Sequence, residues 1–537
     1  MRGFVTAVFV AEPDRKLLPI EGLSGEVPSF DTAMLSALRW AATHYVSPFS
    51  VLLRRTIPPN VPKVFGEQET APHNGRSVSS HSTNPVYRIG SPPYGPAIAD
   101  TIADVTSSGR NVVIIAPTVS EIGGIADHLI QLHGDRVVRA TSSMSGAAVT
   151  ESWSRIATGI GGILIGTRET MFWPFGDVGL VVVVEDGRRV MRSPGTPTLS
   201  VRDVILHRSS SEGFSVVFHG PVPTLEAIAM GATVEAPSRR HWPMVEVVDR
   251  GDEPPGGAML TERVRGAVRG AVKAAHSVFV LVGSRAYAPA FRCASCGEVR
   301  RCGTCSSSAT RDETCRRCGA VPGACVSCGA RRFQALGAGI GRIIDDVSGL
   351  VGPDAVGRAG EERLVTVGTE RDLIGVHDVG LAVAVDVDGL TMAPHYRAAE
   401  DALRLLVRLA QTVRRGAGNR CVIQTAEVDQ PVIAALVRGR SGEFLEAELD
   451  SRTTFGFPPS GSLIAIETDG AHDAEKLLRE QVSHHAKIMG PAPAGDRLRW
   501  LLAGRDLDQA RLALRPVLAT LRGKGAKVRV DVDPIDL

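Results

Sequence analysis

Lysine is scarce in this chain. It supplies seven of 60 basic residues, at positions 16, 63, 273, 476, 487, 524 and 527, so none lies between Val64 and Val272. Any chemistry in that span that needs an ammonium group on a phosphate is excluded. Long apolar runs are also missing. No stretch reaches the roughly 18 residues a membrane-spanning helix requires. The opening segment MRGFVTAVFVAEPDRK has no apolar region followed by a small-residue cleavage site, which argues against a secretory signal and for a cytoplasmic location with reduced thiols. The formal net charge of +2 gives no strong pull toward a partner of either sign. Outside one short region cysteine is nearly absent as well.

That region is the most informative part of the chain. Eight of the nine cysteines fall between Cys293 and Cys328 as four CxxC pairs: Cys293/Cys296, Cys302/Cys305, Cys315/Cys318 and Cys325/Cys328. A CxxC turn presents two sulfurs to one ion, and zinc takes four such ligands in a tetrahedron. Four pairs therefore make two closed four-cysteine sites, structural in character because neither keeps an open position for substrate. Disulfides fit a reducing compartment poorly, iron–sulfur clusters use other spacings, and a redox CxxC comes as one pair. Eight arginines and three acids lie between Phe291 and Phe333. They largely offset the charge of two zinc–tetrathiolate centres, so DNA contact is not required to explain them.

At about 150 residues per domain the length allows three or four domains. Residues 30–56 read as two short helices, with Asp31 capping the first and Pro48 opening the second. Residues 57–93 are rich in Pro, Ser and Asn without periodicity and read as a linker. From residue 95 onward, short apolar runs alternate with helical segments: NVVIIAPT (111–118), GGILIGT (161–167), GLVVVVED (179–186) and FSVVFHGPVP (214–223), then HSVFVLVG (276–283), RLVTVGT (363–369), GLAVAVDVDG (380–389) and RCVIQT (420–425). This is the pattern of parallel sheets flanked by helices. The last stretch reads strand, helix, strand, helix, strand and predicts a small α+β domain. Cys421 reads as a core residue. His484 and His485 read as solvated positions on a polar helix. Asp386 and Asp388 read as structural groups at a strand end.

Two tandem α/β units with an eight-cysteine insertion in the second and a small final domain resemble the PriA family, superfamily-2 DNA helicases that restart stalled replication forks. IGTRETMF (165–172), VRDVILHR (201–208), VDVDG (385–389), YRAAE (396–400), VIQT (422–425), FPP (457–459) and GPAP (490–493) stand where the family has close counterparts. The resemblance covers residues 20–58 and nearly all of 88–537. It implies a partial N-terminal DNA-binding domain (1–58), a linker (59–88), RecA-like lobe 1 (89–250), RecA-like lobe 2 (251–290 and 331–450), a zinc-binding insertion (291–330) and a C-terminal domain (451–537). It implies two zinc ions, one on Cys293, Cys296, Cys325 and Cys328 and the other on Cys302, Cys305, Cys315 and Cys318. It also implies forked or single-stranded DNA, other primosome proteins and single-stranded-DNA-binding protein as partners, without a membrane. The family begins with a DNA-end-binding domain and then a winged-helix domain; this chain is expected to open partway into the first, with about 30 linker residues in place of the second, so either the start codon is assigned late or the family's pocket for a 3′ DNA end is incomplete.

The motor motifs depart from that family. Its phosphate-binding loop is replaced by RIGSPPYG (88–95). Tyr94 stands for the lysine and Gly95 for the magnesium-binding threonine, while Pro92 and Pro93 remove two backbone N–H donors. Val184 stands for the magnesium-binding aspartate, leaving Glu185 and Asp186, which read as a solvated strand end. The GSATP segment becomes HGPVP (219–223). RLAQTVRR (408–415) has Thr412 at one arginine position and keeps Arg415. The resulting expectation is a pseudoenzyme: no nucleotide-binding or catalytic residues, no ATP hydrolysis and no unwinding, with a role in binding branched or single-stranded DNA and recruiting restart proteins. Two alternatives are an active ATP-dependent 3′→5′ DNA helicase with a divergent site, and a zinc-stabilised protein-interaction module.

Overall fold

The computed structural model describes residues 22, 29–60, 84–158, 161–237, 242–252, 259–283, 290–298, 300–304, 315, 320–321, 323–336 and 340–536. The chain divides into two compact units, Met1–Tyr87 with Pro93–His219, and Arg88–Pro92 with Gly220–Leu537.

The first unit is organised by strands that carry almost nothing polar. Asn111–Ile115 and Val178–Val184 are buried along their whole length. They lie side by side in a parallel sheet, with Ile163–Gly166 and then Val137–Ala140 beyond the first, and Ser215–Gly220 beyond the second. Strands of this kind need cover on both faces. Helices Gly95–Ser107 and Val119–His133 supply it on one face through Ile98, Ile102, Ile122, Ile125 and Leu129. Thr118 starts the second of these helices by accepting from the Glu121 N–H at 3.3 Å. The two N-terminal helices expected over 30–56 are Thr32–His44, capped by Asp31, and Phe49–Thr56, preceded by Pro48. Helix Val201–Glu212 anchors the first of them. Tyr45 Oη accepts from the Ser200 N–H at 3.0 Å and donates to Asp203 at 3.3 Å, and Trp40 stacks on His207 at 4.1 Å. Of the expected linker, 61–83 lies outside the described residues, and Val86–Ile89 is a strand.

The second unit contains a six-stranded sheet whose neighbours run parallel, in the order Val356–Arg358, Val365–Gly368, Val278–Leu281, Leu381–Ala384, Arg420–Thr425, Met244–Asp249. Alternate residues of one strand enter opposite layers, as the period of two requires. Phe279, Leu281, Ala382, Ala384, Cys421 and Ile423 pack with Leu403, Leu406 and Leu436. Val278, Val280, Leu381, Val383 and Val422 pack with Val264, Val268, Ile343 and Val347. Cys421 is fully buried, as read from the sequence. One boundary differs: Met244–Asp249 falls within the span expected for lobe 1, yet it pairs with Arg420–Thr425 of the second sheet.

The final domain has four antiparallel strands rather than three, ordered Lys487–Ala494, Arg497–Gly504, Ser462–Thr468, Val528–Val532. Helices Ala471–Gln481 and Asp508–Gly523 accompany them. Sequence patterning misses Lys487–Ala494 because Gly490, Pro491 and Pro493 interrupt its alternation. Those residues are tolerated because the strand is at a sheet edge and carries a register shift between Met489 and Ala492. His484 and His485 sit in the exposed turn before this strand, just past the helix.

A buried ionic knot ties the start of helix Ala398–Gln411 to the helix that leads into the final domain. Glu400 is fully buried and accepts from Arg404 at 2.8 Å and Arg452 at 2.9 Å. Arg452 also holds Glu448 at 3.0 Å and donates to the Pro458 carbonyl at 3.3 Å. Its guanidinium lies 5.2 Å from the Tyr396 ring, which stacks on Phe457 at 5.1 Å. Arg397 pairs with Glu226 close by. Removing one member of such a knot strands the remaining buried charge, at a cost of about 3–5 kcal/mol. Glu400→Ala is therefore expected to lower the urea midpoint of the second unit and to raise protease cleavage around 452–460, whereas Glu443→Ala, an exposed control, is expected to leave both unchanged.

Candidate functional site

The cysteine module is built on a short antiparallel hairpin, Ala290–Cys293 with Phe333–Leu336, in which Cys293 faces Phe333. Its two outer CxxC turns are near copies of each other. The Gly297 N–H donates to the Cys293 carbonyl at 3.0 Å and the Gly329 N–H to the Cys325 carbonyl at 2.8 Å. Gly297 and Gly329 have φ of 75° and 73°, a left-handed conformation that glycine adopts without steric cost. Each turn aims backbone N–H groups at its first sulfur. Donors at Cys296 and Ser295 bring the Cys293 thiol down to about 6. Donors at Cys328 and Ser327 lower the Cys325 thiol in the same way. Arg300 ties the arms together, its guanidinium 4.3 Å over the Phe333 ring and 3.4 Å from the Gly323 carbonyl.

The hairpin brings the sulfurs of Cys293, Cys296, Cys325 and Cys328 within 4.8 Å of one another. Cys293 and Cys328 are 3.4 Å apart and Cys296 and Cys325 3.7 Å apart. A tetrahedral ion with metal–sulfur bonds of about 2.3 Å has sulfur–sulfur edges of about 3.8 Å, so the four side chains fit one. The pairs 293/296 and 325/328 thus meet although their facing cysteines are 29 and 35 positions apart in the chain. Cys302 and Cys315 are buried in the same insertion. Cys305 and Cys318, the other members of the second expected set, lie outside the described residues.

The second cluster stands at the C-terminal end of strand Val178–Val184, the edge where parallel α/β sheets place ligand chemistry. The chain turns sharply there. Glu185 has φ of 47°, and its N–H donates to the His219 carbonyl at 2.6 Å. Far from being a solvated strand end, Glu185 and Asp186 are 1% and 7% exposed. Tyr94 Oη donates to Glu185 at 2.8 Å. Arg188 pairs with Glu121 at 2.7 Å and lies 3.5 Å from Glu185, and Arg202 pairs with Asp186 at 3.3 Å. His219 Nε2 is 2.9 Å from Thr101 Oγ1. The sequence signal missed was the cations: Arg188 stands in the same turn, three residues after Glu185, and Arg202 joins Asp186 from the helix that follows.

The residues that replace the family's loop have packing roles. Tyr94 is buried at the start of helix Gly95–Ser107. A Cβ on Gly95 would stand 2.8 Å from the Cβ of His128, so a threonine does not fit without displacing that helix neighbour. In the second unit, Thr412 is buried and its hydroxyl donates to the Leu409 carbonyl at 2.7 Å, closing helix Ala398–Gln411, while Arg415 is exposed. Asp386 caps a short helix through the Gly389 N–H at 3.1 Å, and burial raises its carboxyl above the usual range. Asp388 accepts from the hydroxyl of Thr425 and from the Ala426 N–H at 2.8 Å. Both thus have the structural roles read from the sequence.

With the geometry in place, the comparisons with known proteins can be set against it. Residues 453–535 match the family model of the primosomal protein N C-terminal domain. The "Probable replication restart protein PriA" of Mycobacterium leprae (strain TN) is 28% identical over 491 residues, covering 82% of this chain and 75% of that protein. The replication restart protein PriA of Treponema pallidum (strain Nichols) is 25% identical over 487 residues, covering 81% and 74%. A Deinococcus radiodurans relative is 28% identical over 505 residues, and there the chain spans 53% of the relative's length. Among solved structures, RecG bound to a three-way DNA junction aligns with a TM-score of 0.40 at 13% identity, covering 81% of this chain and 47% of that one.

These relatives correct the expectation of a pseudoenzyme. The similarity spans about four fifths of the chain, and nothing in it sets this chain apart from the replication restart proteins as an inactive member. The physical reason is visible in the first unit. Position by position, Glu185 and Asp186 read as a solvated strand end, whereas folding assembles Glu185, Asp186, Arg188 and Arg202 into one buried charged cluster. The chain is similar to the PriA replication restart proteins over about four fifths of its length, and its residues 453–535 match the model of the primosomal protein N C-terminal domain.

Proposed function

We propose that this protein acts in replication restart by binding branched or single-stranded DNA and working with other primosome proteins and single-stranded-DNA-binding protein. The observation that carries this reading is the similarity to proteins named for replication restart across 81–82% of the chain. The net charge of +2 means that DNA contact comes from local arginine clusters, and such contact is salt-sensitive. A forked oligonucleotide should therefore lose about tenfold or more in affinity between about 50 and about 200 mM salt, the loss expected for three or more phosphate contacts. Fluorescence anisotropy at the two salt concentrations measures it, and no detectable binding at the lower one overturns the reading.

The cysteine module would be its rigid insertion. Cys293, Cys296, Cys325 and Cys328 would hold one zinc ion, and Cys302, Cys305, Cys315 and Cys318 a second. A closed tetrathiolate supplies folding energy rather than catalysis. Metal analysis of the purified chain is expected to give two zinc ions per molecule, and Cys293→Ser is expected to remove one of them. A single ion in the unmodified protein would sink the two-site assignment.

A second reading, ATP-driven action on DNA, is favoured by one observation: two acids, Glu185 and Asp186, are retained at the C-terminal end of a central strand. Tyr94 brings no cation to a phosphate, so Arg188 or another guanidinium would have to supply that charge. On this reading DNA stimulates ATP hydrolysis, and Glu185→Gln abolishes the stimulated rate while leaving DNA affinity intact. A DNA-stimulated rate indistinguishable from background in the unmodified chain rejects it.

A further inference from the structure

The four-sulfur site divides by exposure in a way that CxxC spacing does not reveal. Cys293 and Cys325 are 1% and 6% exposed, while Cys296 and Cys328 are open to solvent. Each open sulfur lies against a buried one from the opposite arm, Cys328 against Cys293 at 3.4 Å and Cys296 against Cys325 at 3.7 Å. The arms are locked in this register. Cys293 pairs with Phe333 in the hairpin, the Ala294 N–H donates to the Arg332 carbonyl at 2.9 Å, and Arg300 spans the module between Phe333 and Gly323.

Among cysteines held in one cluster, access decides which sulfur an oxidant in solution reaches. The outer sulfurs meet a solvent oxidant first, and each then has a protected sulfur of the other arm within contact distance. Closing either pair to a disulfide bond of about 2.05 Å needs a movement of under about 2 Å. We propose that this module is an oxidant-responsive site: peroxide attacks Cys296 and Cys328, and the disulfides that follow staple the two arms together, Cys296 to Cys325 and Cys328 to Cys293, rather than closing each CxxC on itself.

The chemistry balances with hydrogen peroxide as the oxidant. The outer sulfur attacks the O–O bond and takes one oxygen as a sulfenic acid, and the expelled hydroxide leaves as water with the proton that sulfur gives up. The inner thiolate attacks that sulfur, the S–S bond forms, and the oxygen leaves as hydroxide. Each disulfide uses one peroxide and two electrons from two sulfurs. Two disulfides use up all four sulfurs, so an ion held there is released. That release rests on the zinc reading above; the cross-arm linkage does not.

Trypsin separates the alternatives. Cys293 and Cys296 fall in the peptide 293–300, and Cys325 and Cys328 fall in 318–331 together with Cys318. The full-length chain is assayed for zinc, treated with one or two equivalents of hydrogen peroxide per site, alkylated, digested and analysed by mass spectrometry, with zinc release followed by a chromogenic chelator. The expected result is covalent joining of these two peptides, fragmentation that assigns 293–328 and 296–325, and zinc release in step with peroxide. Unjoined peptides, each lighter by two hydrogens, overturn the proposal. So do sulfinic or sulfonic acids at 296 and 328 without joining, and thiols that survive the treatment. Absence of zinc before oxidation counts against the metal reading alone, because the peptide linkage is read either way.

Discussion

A parallel sheet buried on both faces leaves polar chemistry only one place to go, the ends of its strands. Val178–Val184 has no exposed residue, and no acidic or basic residue other than His219 lies in the strands beside it, Asn111–Ile115 and Ser215–Gly220. Charge can appear only after Val184, where the chain leaves the sheet at Glu185 with a left-handed backbone. The same constraint shapes the second unit. Leu381–Ala384 is fully buried, and the first carboxylates, Asp386 and Asp388, follow its end. Folding therefore concentrates acids at one edge of each sheet, compensated by arginines in the first unit and by backbone N–H and hydroxyl donors in the second. Isolated buried carboxylates would be severely penalised, and each acid near the first strand end has a guanidinium or phenol within hydrogen-bonding or ion-pair distance.

The cysteine module solves a different problem. About 40 residues inserted between two strands of a sheet cannot bury enough apolar surface to fold by packing alone. The module uses a hairpin, a stacked arginine and a four-sulfur cluster instead. Its two outer turns use the same backbone pattern, so the donors that shape each turn also favour the thiolate form of its first cysteine. That favours metal binding, because the thiolate is the ligand. It also leaves one sulfur of each pair open to solvent, and that asymmetry makes an oxidant-sensitive site physically accessible in a module otherwise held rigid.

Much of the fold was legible because its signals are local. Runs such as NVVII and LAVA can only be buried strands at their length and composition, and the CxxC spacing announces metal ligands without any structure. Lys487–Ala494 was not legible, since its prolines read as a turn and only its place at a sheet edge lets them stand. Met244–Asp249 falls within the span expected for lobe 1, because its sheet is set by a partner, Arg420–Thr425, that lies far along the chain. Burial of the acid pair was illegible for the same reason: Tyr94 and Arg202, which contact Glu185 and Asp186, come from separate segments.

The sequence by itself determined the alternation of strands and helices, the two α/β sheets, the cysteine spacing and the resemblance to the PriA family, because each is written in contiguous residues. Only the tertiary structure decided which cysteine pairs face each other, which sulfurs meet solvent, and that the strand-end acids are buried among cations. Those properties arise from contacts between residues distant in the chain, and a linear pattern carries no information on the distance or exposure that such contacts create.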